Sequence, residues 1–97
     1  MTAYLIANIT VTDPERYPPY RAQVPGVVTQ YGGRFLVRAG AVHPLEGELG
    51  FDRFVVIEFP SLEVAKQFYG SPEYAPLLKL RMETTRSQVA FVEGASL

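Results

Sequence analysis

Cysteine is absent from this chain of 97 residues. Its absence excludes disulfide bonds, catalysis by a thiolate and every metal site built on cysteine. His43 is the single histidine, so no multi-histidine site for a metal ion or a haem is available. The sequence therefore predicts a protein that carries no metal ion and no other cofactor.

An excess of charge is also lacking, because nine basic side chains face ten acidic ones and the net charge is -1. This balance does not provide the basic surface that nucleic acids or anionic membranes attract. No apolar run approaches the roughly 20 residues that a membrane helix needs. A first strand predicted from Ala3 leaves no room for a signal peptide. We therefore expect a cytoplasmic protein that binds neither nucleic acid nor a membrane.

The length and the composition are those of one small domain. The chain is 47% hydrophobic and 20% charged, which is typical of a globular protein. We predict a single domain over residues 1–97. A chain this short buries only about 60–65% of its unfolded surface, so pairing with a second copy would enlarge the core.

Residues 3–11 have the period of a strand, with the apolar Leu5, Ala7, Ile9 and Val11 on one face and the more polar set of Tyr4, Ile6, Asn8 and Thr10 on the other. Three further strands are predicted at 34–39, 53–59 and 88–92. The connection between the second and third strands, residues 40–52, is long for a hairpin, and long loops often carry function.

Three helices are predicted between these strands. Asp13 and Pro14 favour a helix start, and a core-facing stripe follows at Tyr17, Tyr20, Val24, Val27, Val28 and Tyr31. Prolines 18, 19 and 25 should break or kink this first helix, because proline removes a backbone donor. Ser61 and Ser71 favour the starts of two later helices, as N-caps.

The order of these elements predicts an α+β fold of βαββαβ type, with a four-stranded antiparallel sheet and the helices on one face. Odd strand positions should face the helices, since all are apolar: Leu5, Ala7, Ile9, Val11, Phe35, Val37, Ala39, Val55, Ile57 and Phe59. The even positions are half apolar, which is typical of a surface that meets a partner. A homodimer built sheet to sheet would cover them. On the same face, the pattern places Arg34 opposite Glu58 as an ion pair.

With these elements placed, the sequence resembles the domain-of-unknown-function 1330 family. The resemblance is carried by Tyr31-Gly32-Gly33-Arg34-Phe35-Leu36-Val37-Arg38, by Val56-Ile57-Glu58-Phe59-Pro60-Ser61 and by Phe68-Tyr69-Gly70-Ser71-Pro72-Glu73-Tyr74. It implies a ferredoxin-like, dimeric α+β barrel. The superfamily of that name includes antibiotic-type monooxygenases, muconolactone isomerases and haem-handling enzymes.

Candidate functional residues fall into three groups. His43, in the long loop, is the only ready general base and thus the one catalytic candidate, although a lone loop histidine is usually just solvated. Arg38 and Arg53 flank the loop, on opposite faces of the sheet by strand parity. Either could clamp a carboxylate, or could instead pair with Glu46, Glu48 or Asp52.

The third group is aromatic. Tyr20, Tyr74 and Arg81, with Tyr69, would line a cavity between the helices and the sheet and bind a small ligand; ordinary core packing is the alternative. We expect a small organic anion to bind where the 40–52 loop meets the sheet and the last helix.

Three functions follow from these residues. The first is a small cofactor-free oxygenase or isomerase that acts on a small organic anion. The second is a ligand-binding or accessory protein that uses the same cavity without chemistry. The third is a structural homodimer without a pocket.

Overall fold

A computed structural model describes residues 1–95, and it contains one antiparallel sheet of four strands with helices against one face. The strands are β1 (Ala3–Val11), β2 (Arg34–Arg38), β3 (Arg53–Phe59) and β4 (Thr85–Glu93). The helices are α1 (Pro18–Gln30), α2 (Leu62–Tyr69) and α3 (Ala75–Thr84). The strand order is β2-β3-β1-β4, which confirms the predicted βαββαβ fold. The predicted domain range extends over residues 96 and 97, which lie outside the described residues.

The core lies between the sheet and the helices, on what we call the inner face of the sheet. Its sheet side includes six of the predicted odd residues of β1 and β3, namely Leu5, Ala7, Ile9, Val55, Ile57 and Phe59, and also Ala3, while Val11 is only partly buried. Buried residues of all three helices pack against them, among them Val28, Phe68 and Leu77. The burial of these side chains from water is the main force that holds the helices on the sheet.

Strand β2 departs from the predicted alternation. Its partners in β3 run Arg34–Glu58, Phe35–Ile57, Val37–Val56 and Arg38–Val55, so that Leu36 is an extra residue in a β-bulge. A bulge reverses the faces of every residue after it. Val37 therefore lies beside Val56 on the outer face, away from the helices, and Arg38 lies on the inner face. The predictions that Val37 faces the helices and that Arg38 and Arg53 lie on opposite faces were wrong for this reason.

Helix α1 begins later than predicted. Asp13 starts a turn instead, in which the N–H of Tyr17 donates to the Asp13 carbonyl at 3.2 Å. The helix begins at Pro18, with Pro18 and Pro19 in its first turn. Proline suits that place because the first N–H groups of a helix have no intrahelical acceptor. The prediction that these two prolines interrupt the helix was wrong. Pro25 lies inside the helix, which nevertheless runs on to Gln30, so the predicted break is not found there either.

Serine side chains position the next two helices. Ser61 caps α2, since its hydroxyl accepts from the N–H of Val64 at 3.1 Å, as predicted. The buried Ser71 hydroxyl accepts from the N–H of Tyr74 at 3.1 Å and donates to the Phe68 carbonyl at 2.7 Å. It therefore caps a turn that precedes α3, which itself begins at Ala75, after the predicted start. This turn holds the Tyr74 side chain against the core.

The long loop ends on the outer face of the sheet. The Asn8 side chain donates to the Gly50 carbonyl at 3.2 Å and accepts from the N–H of Asp52 at 2.9 Å. The ring of Phe51 stacks on that of Phe54 with centroids 4.4 Å apart. The loop thus approaches the sheet on the side opposite the helices, and the prediction that it joins the last helix over a pocket was wrong. Within the part of the chain that the structure describes, no helix is long and apolar enough to cross a membrane.

Candidate functional site

A cavity of about 40 Å³ lies between the inner face of the sheet and the helices. Most of its wall is apolar, with contributions from β1, β3, α1 and α2. Seven polar side chains also line it: Tyr17, Tyr20, Arg21, Arg38, Arg53, Tyr74 and Arg81. The volume is enough for a few water molecules, so a larger ligand would enter only if side chains at its edge moved.

Four of these residues form the gate of the cavity: Tyr17, Arg21, Arg38 and Arg53. They line both the cavity and a surface depression of about 480 Å³ outside it, so they stand between the two spaces. The Arg53 guanidinium lies 5.8 Å from the centre of the Tyr17 ring, and that of Arg38 lies 5.0 Å from the centre of the Phe35 ring. Both distances are within the range of cation–π attraction.

Pro25 explains how Arg38 is held at the gate. A proline has no N–H, so the carbonyl of Arg21, four residues earlier, receives no hydrogen bond from Pro25 in α1. The Arg38 guanidinium donates through Nη2 to this carbonyl. The proline inside the helix thus leaves open an acceptor that anchors a side chain from the edge strand.

The inner cluster consists of Tyr20, Tyr69, Tyr74 and Arg81. The hydroxyls of Tyr20 and Tyr74 are 2.8 Å apart. Arg81 donates from Nε to the Tyr74 hydroxyl at 3.4 Å and from Nη2 to the Tyr69 hydroxyl at 3.3 Å. Arg81 is only 5% exposed, so a guanidinium is buried with phenols as its hydrogen-bonding partners.

Among the described residues, no aspartate or glutamate side chain lines this cavity. Over residues 1–95, the ion pairs are those of Arg16 with Asp13 and Glu83 and of Arg34 with Glu58. The last of these, at 2.8 Å, confirms the predicted pair across β2 and β3. The alternative in which Arg38 or Arg53 pairs with a loop carboxylate is not found in this range, and the Asp52 side chain instead accepts from the Thr10 hydroxyl. Four arginines therefore surround the cavity without an acidic neighbour in its wall.

The ionisation of the cluster follows from its burial. Burial, with the neighbouring Tyr74 hydroxyl, raises the pKa of Tyr20 well above its usual value near 10. Burial also raises the pKa of Tyr17, although Arg53 and Arg21 oppose the shift. Burial alone would lower the pKa of Arg81, but the neighbouring Tyr74, Tyr20 and Tyr69 together outweigh it and raise the pKa. At neutral pH both of these tyrosines are thus neutral, Arg81 is charged, and all three offer hydrogen-bond donors.

The raised pKa of Tyr20 predicts a loss of stability in alkali. The folded chain holds this proton more tightly than the unfolded chain, whose tyrosines titrate near pH 10, so stability falls as the pH rises above about 10. The slope due to Tyr20 is about 1.4 kcal/mol per pH unit. Urea unfolding of the wild type and of Tyr20→Phe between pH 8 and pH 12 would measure it as the difference between the two curves. A difference that does not change with pH would contradict the assignment.

The structure brings together five of the seven predicted site residues and leaves His43 and Tyr69 out of the cavity wall. Tyr20, Tyr74, Arg81, Arg38 and Arg53 all line the same cavity. His43 does not line it; it is exposed in the 40–52 loop. Across residues 1–95, no three histidine, aspartate or glutamate side chains are grouped so that they could hold a metal ion.

Two site residues were not among the sequence candidates. Tyr17 and Arg21 are both at the gate. Tyr17 is the N-cap of α1 and Arg21 is four residues further on, which places them on the same side of the helix. This spacing could have predicted the position of Arg21, since Tyr17 belongs to the predicted core-facing stripe. Arg21 was not predicted as a site residue because a charged residue in a helix usually faces solvent and binds nothing.

A comparison of the sequence with known protein families finds one match that covers nearly the whole chain. A family described as a domain of unknown function, DUF1330, matches residues 2–95. The chain belongs to the DUF1330 family. No curated protein matches the sequence.

Solved structures share the fold of this DUF1330 chain at low sequence identity. RPA0582 from Rhodopseudomonas palustris, a protein of unknown function, is 16% identical, with a TM-score of 0.77 over 99% of this chain and 84% of that one. A dimeric ferredoxin-like protein of unknown function from Jannaschia sp. CCS1 is 13% identical, with a TM-score of 0.74 over 97% of this chain and 100% of that one. These likenesses establish a ferredoxin-like fold for the DUF1330 chain.

One structural neighbour has a named activity. SnoaB from Streptomyces nogalater, a cofactor-independent oxygenase, is 13% identical, with a TM-score of 0.63 over 99% of this chain and 95% of that one. At this identity the two proteins share an architecture, and one fold hosts many unrelated functions.

Proposed function

We propose that this protein binds a small organic anion in the cavity between its helices and its sheet. The observation that carries the proposal is the gathering of four arginines around an otherwise apolar space whose wall includes no carboxylate. Arginine at such a site binds carboxylates through two parallel hydrogen bonds. The apolar wall suits the carbon skeleton of the ligand, and the arginines suit its charge.

Binding is tested by comparing two arginines that differ in position alone. Arg53 lies at the gate, whereas Arg86 is exposed on β4 and lines no described cavity. Titration calorimetry with small aromatic and aliphatic carboxylates should show that Arg53→Met weakens binding by about tenfold, or 1.4 kcal/mol. Arg86→Met should leave the affinity as it is. Equal losses in both variants would refute a specific site, because they would indicate attraction to the net charge alone.

A cofactor-free oxygenase is the second candidate. It is favoured over an isomerase because the cavity wall formed by residues 1–95 contains no group that acts readily as a general base. An isomerase needs a general base, and the ionisable groups of the wall are tyrosines and arginines. A cofactor-free oxygenase needs no such base when its substrate arrives already ionised, and positive charge would stabilise that substrate anion while it reacts with dioxygen. The shared fold of SnoaB is consistent with this chemistry. Consumption of dioxygen with a bound anion, lost in Arg53→Met, would separate an enzyme from a binding protein.

The same chain is proposed to act as a homodimer through the outer face of its sheet. Leu36, Val37 and Val92 are between 37% and 45% exposed in the single chain, and the strand register places the last two on the outer face. Exposed apolar surface of this kind is typical of an interface. The Jannaschia protein of the same fold is dimeric, and a twofold pairing of outer faces covers this surface.

A further inference from the structure

The inner cluster contains more hydrogen-bond donors than acceptors. Tyr20 and Tyr74 carry two hydroxyl hydrogens, and the contact between the two hydroxyls uses one of them. Among the hydrogen bonds of residues 1–95, none uses the second. Arg81 has five N–H groups and gives one from Nε and one from Nη2 to phenols. The cluster therefore has donors to spare and no carboxylate to receive them.

The gate forms a second cationic group at another part of the same cavity. Arg38 and Arg53 come from neighbouring strands of the sheet, while Arg81 comes from α3, which is connected directly to β4. Strand β1 lies between β3 and β4 in the sheet, so the two groups approach the cavity from different sides. Apolar side chains such as Leu5, Ala7 and Ile57 line the space that both groups adjoin.

We infer that the ligand is a dicarboxylate, with one carboxylate at the gate and the other at the inner cluster. This inference rests on the proposed anion-binding function and adds a second subsite to it. A single carboxylate would satisfy the gate and leave Arg81 without an anion. Only phenols and the surface depression that Arg81 shares with Tyr69 and Met82 would then compensate its charge, and a largely buried charge is costly unless it is paired. A second carboxylate supplies the missing acceptors for Arg81 and for the free phenolic hydrogen. The apolar wall selects a carbon chain or ring between the two.

The decisive experiment compares dicarboxylates with their monomethyl esters, which keep the length and lose one charge. Calorimetry on the wild type with the series from malonate to adipate, and with terephthalate, should find a dicarboxylate that binds about tenfold tighter than its ester. Equal affinities across the series would overturn the second subsite and leave anion binding intact. Failure of every dicarboxylate and every ester to bind would overturn both proposals.

Variants then test whether the inner cluster is the second subsite. The double variant Tyr20→Phe/Tyr74→Phe is required, because either hydroxyl alone keeps one free donor. It should lose most of the preference for the dicarboxylate over its ester. Tyr31→Phe is the matched control, since the Tyr31 hydroxyl lies about 3.1–3.2 Å from Glu73 at the surface.

Arg81→Met provides an independent test of the same subsite, because it removes the charge and keeps a long apolar side chain. It should also abolish the preference for the dicarboxylate. A preference that survives in both the double variant and Arg81→Met would overturn the assignment to this cluster. The wild-type comparison of acid and ester remains decisive if either variant fails to fold.

Discussion

Replacing Ile6 by glutamate should separate the homodimer into monomers. Ile6 lies beside Val56 of β3 and Ala90 of β4, at the centre of the outer face. In the proposed dimer a carboxylate at this place would be buried, and an unpaired buried charge costs several kcal/mol. In a monomer the same side chain would face water, so the fold should survive. Light scattering should give twice the chain mass of 10.8 kDa for the wild type and that mass itself for the variant.

Met82→Glu is the control for this experiment. Met82 is 64% exposed on α3, which packs on the opposite side of the sheet. The same change of charge there should leave the dimer intact. A wild-type protein that is already monomeric at micromolar concentration, or an Ile6→Glu variant that stays dimeric, would contradict an interface at the outer face.

The strand pattern predicted the fold because β1 and β3 alternate without interruption. Apart from Arg53 at the start of β3, the odd residues of both strands are apolar, and both faces of the sheet follow from that period. Strand β2 could not be placed in the same way. Its residues Phe35, Leu36 and Val37 are all apolar, so no change of period marks the bulge at Leu36. The register is decided by pairing with β3, which a single sequence does not display.

The bulge also decides the composition of the site. It moves Arg38 to the inner face, where the guanidinium joins Arg53 at the gate, and it moves Val37 to the outer face beside Val56. The predicted carboxylate clamp treated these arginines as alternatives on opposite faces. One inserted residue thus makes the inner face more cationic and the outer face more apolar.

The aromatic part of the site was easier to predict than its surroundings. Tyr20 and Tyr74 lie on core-facing positions, and a buried tyrosine needs a partner for its hydroxyl. Arg81 approaches Tyr74 because the two are seven residues apart, on the same side of the predicted last helix. The position of the 40–52 loop was not predictable in this way. Hydrogen bonds with the Asn8 side chain hold the end of the loop on the outer face. In the sequence, a polar residue in a strand such as Asn8 could equally well face solvent or bind a loop.

Pro25→Ala should make the protein more stable and its anion binding weaker. Alanine restores the N–H that α1 lacks at this position, and proline in a helix interior is about 3 kcal/mol less favourable than alanine. The greater freedom of alanine in the unfolded chain offsets part of this gain, so we expect a net increase of about 1–2 kcal/mol in the free energy of unfolding. The restored N–H would compete with Arg38 for the carbonyl of Arg21. The arginine would then lose its anchor, and the affinity for a carboxylate should fall by about threefold to tenfold.

Opposite changes in stability and affinity distinguish this positioning role from general damage to the fold, which would lower both. Pro19→Ala is the matched control. Pro19 lies in the first turn of α1, where an added N–H would have no intrahelical acceptor. It should change neither quantity by much. Combining Pro25→Ala with Arg38→Met should weaken binding no further than Arg38→Met alone, since both act through the same guanidinium. Additive losses in the double variant would show that Pro25 affects the cavity by a route other than Arg38.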